Sequence, residues 1–442
     1  MPGSARLEIV LPVATISFFY GAVLEYALPL YFSALSAAAG NRYSADLWSL
    51  LSKYQIAPFI IFPVVAGLLV RHYGEAKIWS AALLGHVLIP LAYAFAPEAR
   101  FIPLIALWQG MTSALLWTAG MSLVQMVAPE RRGWAMGLWM SGLGVGGVLG
   151  PVAGRLLLYR HELTTLAQRG AWSAWASRLA NLAPVQTKAQ VDEFNVIFFI
   201  LAAGMLISGV LVALLGQYPG QFERKLDLSW RNTLHDLGQL VSIPHFWLLA
   251  VTICVLGGLP LMASNQFLPY RAEMLGLKDG ARDSGWFWLQ LIRTFMWLPG
   301  GVAVGFFAGR RVGRRVAASM LAAAALAAIA VGLSQKVWQL FASVAVFEFF
   351  RQFVRWLQTG YLAEHMPGNL RATAIGFALA LAGLGHTLFA WAAAYVWDPT
   401  NQSGMPFLFA ALLGGVGGFG LFLVDRWWPI HTHEPVVGEA VI

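Results

Sequence analysis

The chain has 442 residues, of which 58% are hydrophobic and only 11% charged. A soluble chain of this length cannot bury that much apolar surface, and apolar runs of about 18 residues or more recur along it, so it reads as an all-α polytopic membrane protein with the lipid bilayer as its surroundings. The net charge of +8 does not imply a nucleic-acid partner, because membrane proteins gather Arg and Lys in loops on one side, and the single cysteine, Cys254, excludes an internal disulfide.

About twelve spans follow one another, at roughly 9–34, 46–70, 77–97, 101–127, 133–158, 193–216, 245–270, 284–308, 314–334, 337–363, 371–397 and 404–428. The first apolar run is too long for the core of a cleavable signal, and no clear cleavage site follows it. Bases collect before the third, fifth, ninth and eleventh spans: Arg71 and Lys77, Arg131 and Arg132, Arg310 to Arg315, and Arg371. The opposite short loops hold few, so the basic side is cytoplasmic and an even number of spans places both termini there. Residues 159–192 lie outside, and Leu163, Leu166, Trp172, Trp175, Leu179 and Leu182 recur at three- to four-residue spacing. That pattern fits either an amphipathic helix on the membrane surface or outer mouth, or a plain spacer. Residues 217–244 are polar and basic and read as an inner linker, and residues 429–442 as a disordered tail. The expected units are a first half at 1–216, the linker, and a second half at 245–428.

The halves share a plan. Trp48 is followed five residues later by Lys53, and Trp288 by Arg293. Each stretch runs on through Pro63 or Pro299 to a glycine and a basic loop: Gly67, Arg71 and Gly74 in one, Gly305, Arg310 and Gly313 in the other. Glu25 to Pro29 matches Asn265 to Pro269, and Arg132-x4-Gly137 matches Arg371-x4-Gly376. The matches keep one order and an offset of about 240 residues, which implies parallel six-helix repeats with a solute path between them.

Six ionisable residues fall well inside spans: Glu25, Lys53, Arg293, Glu348, Arg351 and Arg355. Each costs about 2.5–3.5 kcal/mol at a helix centre, so such groups face a polar cavity and find partners. Glu348, Arg351 and Arg355 share one helical stripe, and one carboxylate cannot neutralise two guanidiniums. Glu25 and Lys53 are placed to pair. Taken together the six carry two more positive than negative charges, which suits a carboxylate or phosphate on the solute. The alternative for any one of these groups is a structural strut between helices. Lys53, Arg293, Arg351, Arg355, Asn265, Gln109 and Trp356 are the residues offered to solute, and Glu25 or Glu348 the residue offered to a coupling proton, since burial raises a carboxyl pKa. His386 is either a proton relay or a hydrogen-bonded helix histidine. Trp108 and Trp356 can line the cavity, while most tryptophans are interface anchors.

Motifs then point to a family. The loop Gly67-Leu-Leu-Val-Arg71-His72-Tyr-Gly74-Glu-Ala-Lys77 is similar to the signature Gly-x-x-x-Asp-Arg-x-Gly-Arg-Arg of the major facilitator superfamily, with Arg71 in place of the acid and His72 in place of the Arg. The stretch from Gly305 to Arg315 repeats it with one extra residue. Gly146-Gly-Val-Leu-Gly150-Pro151-Val-Ala-Gly154 resembles the span-5 motif common in that family's exporters, and Glu364-x-x-Pro367-x-x-x-Arg371 resembles a loop of its sugar and metabolite symporters. Ala106 stands where the span-4 motif carries Arg. The resemblance implies twelve helices in two pseudo-symmetric halves and alternating access. It assigns a gating role to Gly67, Arg71, Gly74, Gly146, Gly150, Pro151, Gly154, Gly305, Arg310, Gly313, Glu364 and Arg371. For the glycines the alternative is static packing, and for the basic loops it is topology and helix-end charge.

The function expected is secondary active transport of a small organic anion, coupled to protons. A proton-antiport exporter is the alternative, and a membrane sensor without net flux, or an enzyme on this scaffold, represents another class. No phosphate-binding loop, HExxH or Cys/His cluster supports ATP drive, metal or enzymatic chemistry, so no cofactor is expected. A monomer in a bacterial inner membrane completes the expectation.

Overall fold

The computed structural model describes residues 54–95, 101–127, 129–158, 188–215, 230–261, 267–277, 284–308, 314–358, 370–396 and 403–427, with scattered positions between them. Among these residues there is no strand. The described positions of the first span, between 12 and 28, are helical. A short 3-10 turn at Ala57–Ile60 precedes α1 (Phe62–Tyr73), then come α2 (Glu75–Phe95), α3 (Ile102–Met126), α4 (Pro129–Leu158) and α5 (Lys188–Leu215). After them come α6 (Trp230–Ser242), α7 (Pro244–Leu261), α8 (Leu268–Met274), α9 (Ser284–Phe295), α10 (Trp297–Ala308), α11 (Arg314–Leu333), α12 (Val337–Trp356), α13 (Arg371–Val396) and α14 (Met405–Trp427). Six of the described helices are long and apolar enough to cross a membrane, or seven if a bent pair is one span.

In each of the two matched spans a proline follows shortly after a break in the helix. The second span bends by 54° between Tyr54–Ile60 and Phe62–Tyr73. Pro63 sits in the first turn of α1, where its missing N–H costs no helical bond, and the turn before it is broken. Pro299 likewise follows the break at Met296 between α9 and α10. Only Gly74 separates α1 from α2, at φ +86°, a conformation that favours glycine.

Within the first half, α2 packs on α3 and α5. Its centre is the edge-to-face pair Trp79 and Trp139, with centroids 4.9 Å apart. Within the second, α7 packs on α13 and α14, and α11 on α12 and α14. At the far rim Arg271 of α8 donates to Ser403 at 3.1 Å and to the Ser334 carbonyl, tying three connections together. The expected linker is partly structured: α6 occupies its second part, with Leu240 fully buried and the Val241 carbonyl accepting from Trp247 at 2.8 Å.

The halves meet along two seams, α1 on α13 and α4 on α10. The repeat relates these seams: it exchanges the second span for the eighth and the eleventh for the fifth, so one contact is made twice. Both seams depend on missing side chains. A Cβ on Gly67 would lie 2.6 Å from the Ala372 carbonyl oxygen, and one on Gly305 would lie 2.7 Å from the Gly137 Cα and 2.8 Å from the Gly133 oxygen. Backbones this close maximise packing where lipid offers no hydrophobic drive for association. Arg71 and Arg371 flank one seam, Arg131 and Arg132 the other. The two halves therefore touch near their basic ends.

Candidate functional site

The chain concentrates buried charge at the break between α9 and α10. Arg293 and Trp297 are four residues apart on either side of it, so both face α12. There Glu348, fully buried, accepts from both. Arg293 Nε donates to Oε1 at 2.8 Å, and Trp297 Nε1 donates to Oε2 at 2.8 Å. One turn along α12, Arg351 donates a terminal nitrogen to both oxygens, at 2.9 and 3.2 Å. Arg293 also donates to Gln290 at 3.0 Å. The sequence reading pairs Glu348 with a base of its own helix. The structure adds Arg293 from the neighbouring span, a partner that periodicity along one helix cannot supply.

Each guanidinium in this cluster is about as buried as a core leucine, with Arg293 and Arg351 both 3% exposed. Desolvation of such ions is offset only when geometry and hydrogen bonding are both good, and removal of one member leaves an uncompensated buried charge. Close fit of the helices lets the bonds form: Gly300 packs against the Phe349 carbonyl, where a Cβ would lie 2.7 Å away.

Arg355 takes a different part. Its guanidinium carbon lies 4.6 Å from the Trp297 ring centroid and 5.8 Å from that of Trp117. Trp117 belongs to α3, so this contact crosses between the halves. Arg351 sits 5.3 Å from the same Trp297 ring. Trp297 thus holds the carboxylate by its edge and two cations by its faces. Neither Trp117 nor Trp297 emerges from sequence reasoning, because 19 tryptophans in an apolar chain look alike as interface anchors. One signal was available: Trp297 stands four residues beyond Arg293, beside Pro299.

Several other expected residues are placed. Gln109 is buried on α3 with its Oε1 lacking a hydrogen-bond partner among the described residues, and Trp356 is buried at the end of α12 with Nε1 in the same state. Arg355 lies over the rings of Trp117 and Trp297. His386 is buried on α13, within electrostatic range of Arg351. Trp108 is exposed and donates to the Gly85 carbonyl at 2.8 Å. Gly67 and Gly305 lie in the seams; Gly146, Gly150 and Pro151 are buried in α4, which also contains Gly154. Arg71 ends α1, and Arg371 begins α13 with a 3.4 Å bond to the Met366 carbonyl. Glu25, Lys53, Asn265, Arg310, Gly313 and Glu364 lie outside the described residues, as does most of 159–187.

Comparison with known proteins gives one consistent answer. A probable actinorhodin transporter of Streptomyces coelicolor is 26% identical over 155 residues, 35% of this chain and 26% of that protein. The MFS-type transporter ppzB of Metarhizium rileyi is 30% identical over 108 residues, 24% of this chain and 22% of that one. The match thus spans about a quarter of these curated relatives. In fold, the fucose:proton symporter of E. coli aligns with a TM-score of 0.68 at 14% identity, over 94% of this chain and 98% of the symporter. The human organic anion transporter aligns with a TM-score of 0.61 at 12% identity, over 95% of this chain and 100% of that one. The Major Facilitator Superfamily matches residues 10–390. With its apolar helices and buried polar centre, the chain belongs to the Major Facilitator Superfamily and is an integral, multi-pass membrane protein.

Proposed function

We propose that this protein moves a small organic anion by alternating access and couples that movement to protons. The carrying observation is the fully buried Glu348 carboxylate shared by Arg293, Arg351 and Trp297. A carboxylate solute that engages either guanidinium competes with Glu348 for it. Glu348, released, takes up a proton as the solute brings in its negative charge, and the local charge is conserved. The same step reversed discharges both on the other side. Glu348 is then the coupling residue in the second half; Glu25 is the candidate in the first. Lys53, which the repeat matches to Arg293, joins Arg293, Arg351, Arg355, Asn265, Gln109 and Trp356 on the solute path.

The glycines of the two seams, with the basic loops at their ends, are proposed to close one mouth and part in the other state. The remaining motif positions, Arg310, Gly313 and Glu364, belong to the same gate. The basic ends are assigned to the cytoplasm, with both termini there, in a bacterial inner membrane and with the monomer as the working unit. Domain limits at 216, 245 and 428 follow the repeat. A second reading, proton-driven export, is favoured by the buried glycines and Pro151 of α4.

Uptake into proteoliposomes tests both readings. Labelled p-aminohippurate should accumulate when the outside is made acidic, and ethidium should not. Ethidium moving against the proton gradient, with p-aminohippurate ignored, would replace the first reading by the second.

A further inference from the structure

Ionised, Glu348 is fully partnered: Arg293 and Trp297 hold its oxygens from α9 and α10, and Arg351 from its own helix. All three partners are donors only, since neither a guanidinium nor an indole N–H accepts. A protonated Glu348 is itself a donor, so none of the three can take its O–H. Proton uptake there needs an acceptor that the ionised state leaves idle.

One stands a single turn further along α12. Gln352 is fully buried, and neither its Oε1 nor its Nε2 has a hydrogen-bond partner among the described residues. A buried amide in that condition is costly. Its side chain lies against α10, as Glu348 does: a Cβ on Gly300 would come within 2.9 Å of Gln352 Cγ, and Gly300 is three residues beyond Trp297. Glu348 and Gln352 thus share one face of α12, at the i, i+4 spacing that brings helical side chains together. The Oε1 of Gln290 is already taken by Arg293.

We propose that Gln352 is the positioning residue for the protonated state. When solute displaces Glu348 from its guanidiniums, the carboxylate takes a proton from water and donates the new O–H to Gln352 Oε1. The solute supplies the negative charge that Glu348 gives up, and no other bond is made or broken. This rests on the exchange proposed above and names the group that receives its product. The other charged and titratable groups around Glu348 are Arg293 of α9, Arg351 and Arg355 of α12, and His386 of α13, which lies within electrostatic range of Arg351. α10 carries no acid or base, α11 only Arg314 and Arg315 at its start, and α7 only His245 and Cys254. Of the groups around Glu348 only His386 can accept, from another helix, whereas Gln352 is the acceptor on Glu348's own face.

The test is an acid titration of the purified full chain in nanodiscs, followed by the infrared carbonyl band of protonated Glu348, which is identified by its absence in Glu348→Gln. Gln352→Met keeps the bulk and removes the acceptor. Its band should appear at a pH about 0.5–1 unit lower than in wild type, and at higher frequency, because the O–H has lost its partner. Gln358→Met, at a second buried glutamine, should leave both readings unchanged. A role in packing alone would move neither, so an unshifted midpoint and frequency in Gln352→Met would overturn the proposal and leave exchange at Glu348 standing. A wild-type Glu348 band that p-aminohippurate does not increase would overturn the exchange, and the proposal with it. If Gln352→Met does not fold, Gln352→Asn, one methylene short of Glu348, must show the same lowered midpoint.

Discussion

Glu348 is the residue on which the second half's buried charge converges. It accepts from three side chains on three helices, at 2.8 to 3.2 Å. Replacing it with Ala leaves two guanidiniums in a low-dielectric site without their counter-charge, at a cost of about 3–5 kcal/mol. The melting temperature of the purified protein should fall accordingly. Adding Arg293→Ala to Glu348→Ala should recover part of that loss, so the double variant is less destabilised than the sum of the singles. Strict additivity would show that the two side chains do not interact. At Arg351, Lys keeps the charge but loses the forked donor geometry, so p-aminohippurate binding should weaken less in Arg351→Lys than in Arg351→Ala. The charged residues themselves were legible in the sequence, because an ionisable group inside an apolar run stands out. Their partners were not: Arg293 and Glu348 are 55 residues apart, and no local period says which helices touch.

At the scale of elements, the seams turn on side chains that are absent. Gly305→Val would drive methyl groups into the backbone of α4, where even a Cβ lies within 2.7 Å of Gly137. The basic ends of α4 and α10 should then separate, and exchange of p-aminohippurate should slow by about tenfold or more, the scale of a 1–3 kcal/mol overpacking penalty. Spin labels at the two ends would report the separation as a longer distance; an unchanged distance and rate would remove the seam from the gate. Gly415→Ala in α14 is the control, since a Cβ there meets nothing within 4 Å, and it should fold and transport as wild type does. The glycine motifs and both prolines were visible in the sequence, and the structure puts Pro63 and Pro299 beside matching breaks. What the sequence withheld was the assignment of each glycine to a neighbour. Gly142 meets Thr15 of the first span, while Gly144, two residues on, meets Leu298 of α10. One glycine-rich run thus serves two helices, because successive helical positions point in different directions.

For the whole molecule, the repeat visible in the sequence becomes a physical device. One contact, made twice, joins the halves near the basic end, while a charged centre in one half touches the other half through Arg355 and Trp117. Alternating access then needs the seams to part as the centre changes partners. The central claim is that solute displaces Glu348 from its guanidinium partners while Glu348 takes up a proton, and it is tested most directly by proton movement in response to solute. Proteoliposomes holding a pH-sensitive dye are given an inward gradient of p-aminohippurate, with no pH gradient imposed. Wild type should acidify the lumen as solute enters. Glu348→Gln, a variant that cannot ionise, should still exchange labelled p-aminohippurate but leave the lumen pH unchanged. Acidification by Glu348→Gln at the wild-type rate, or alkalinisation by wild type, would contradict the account.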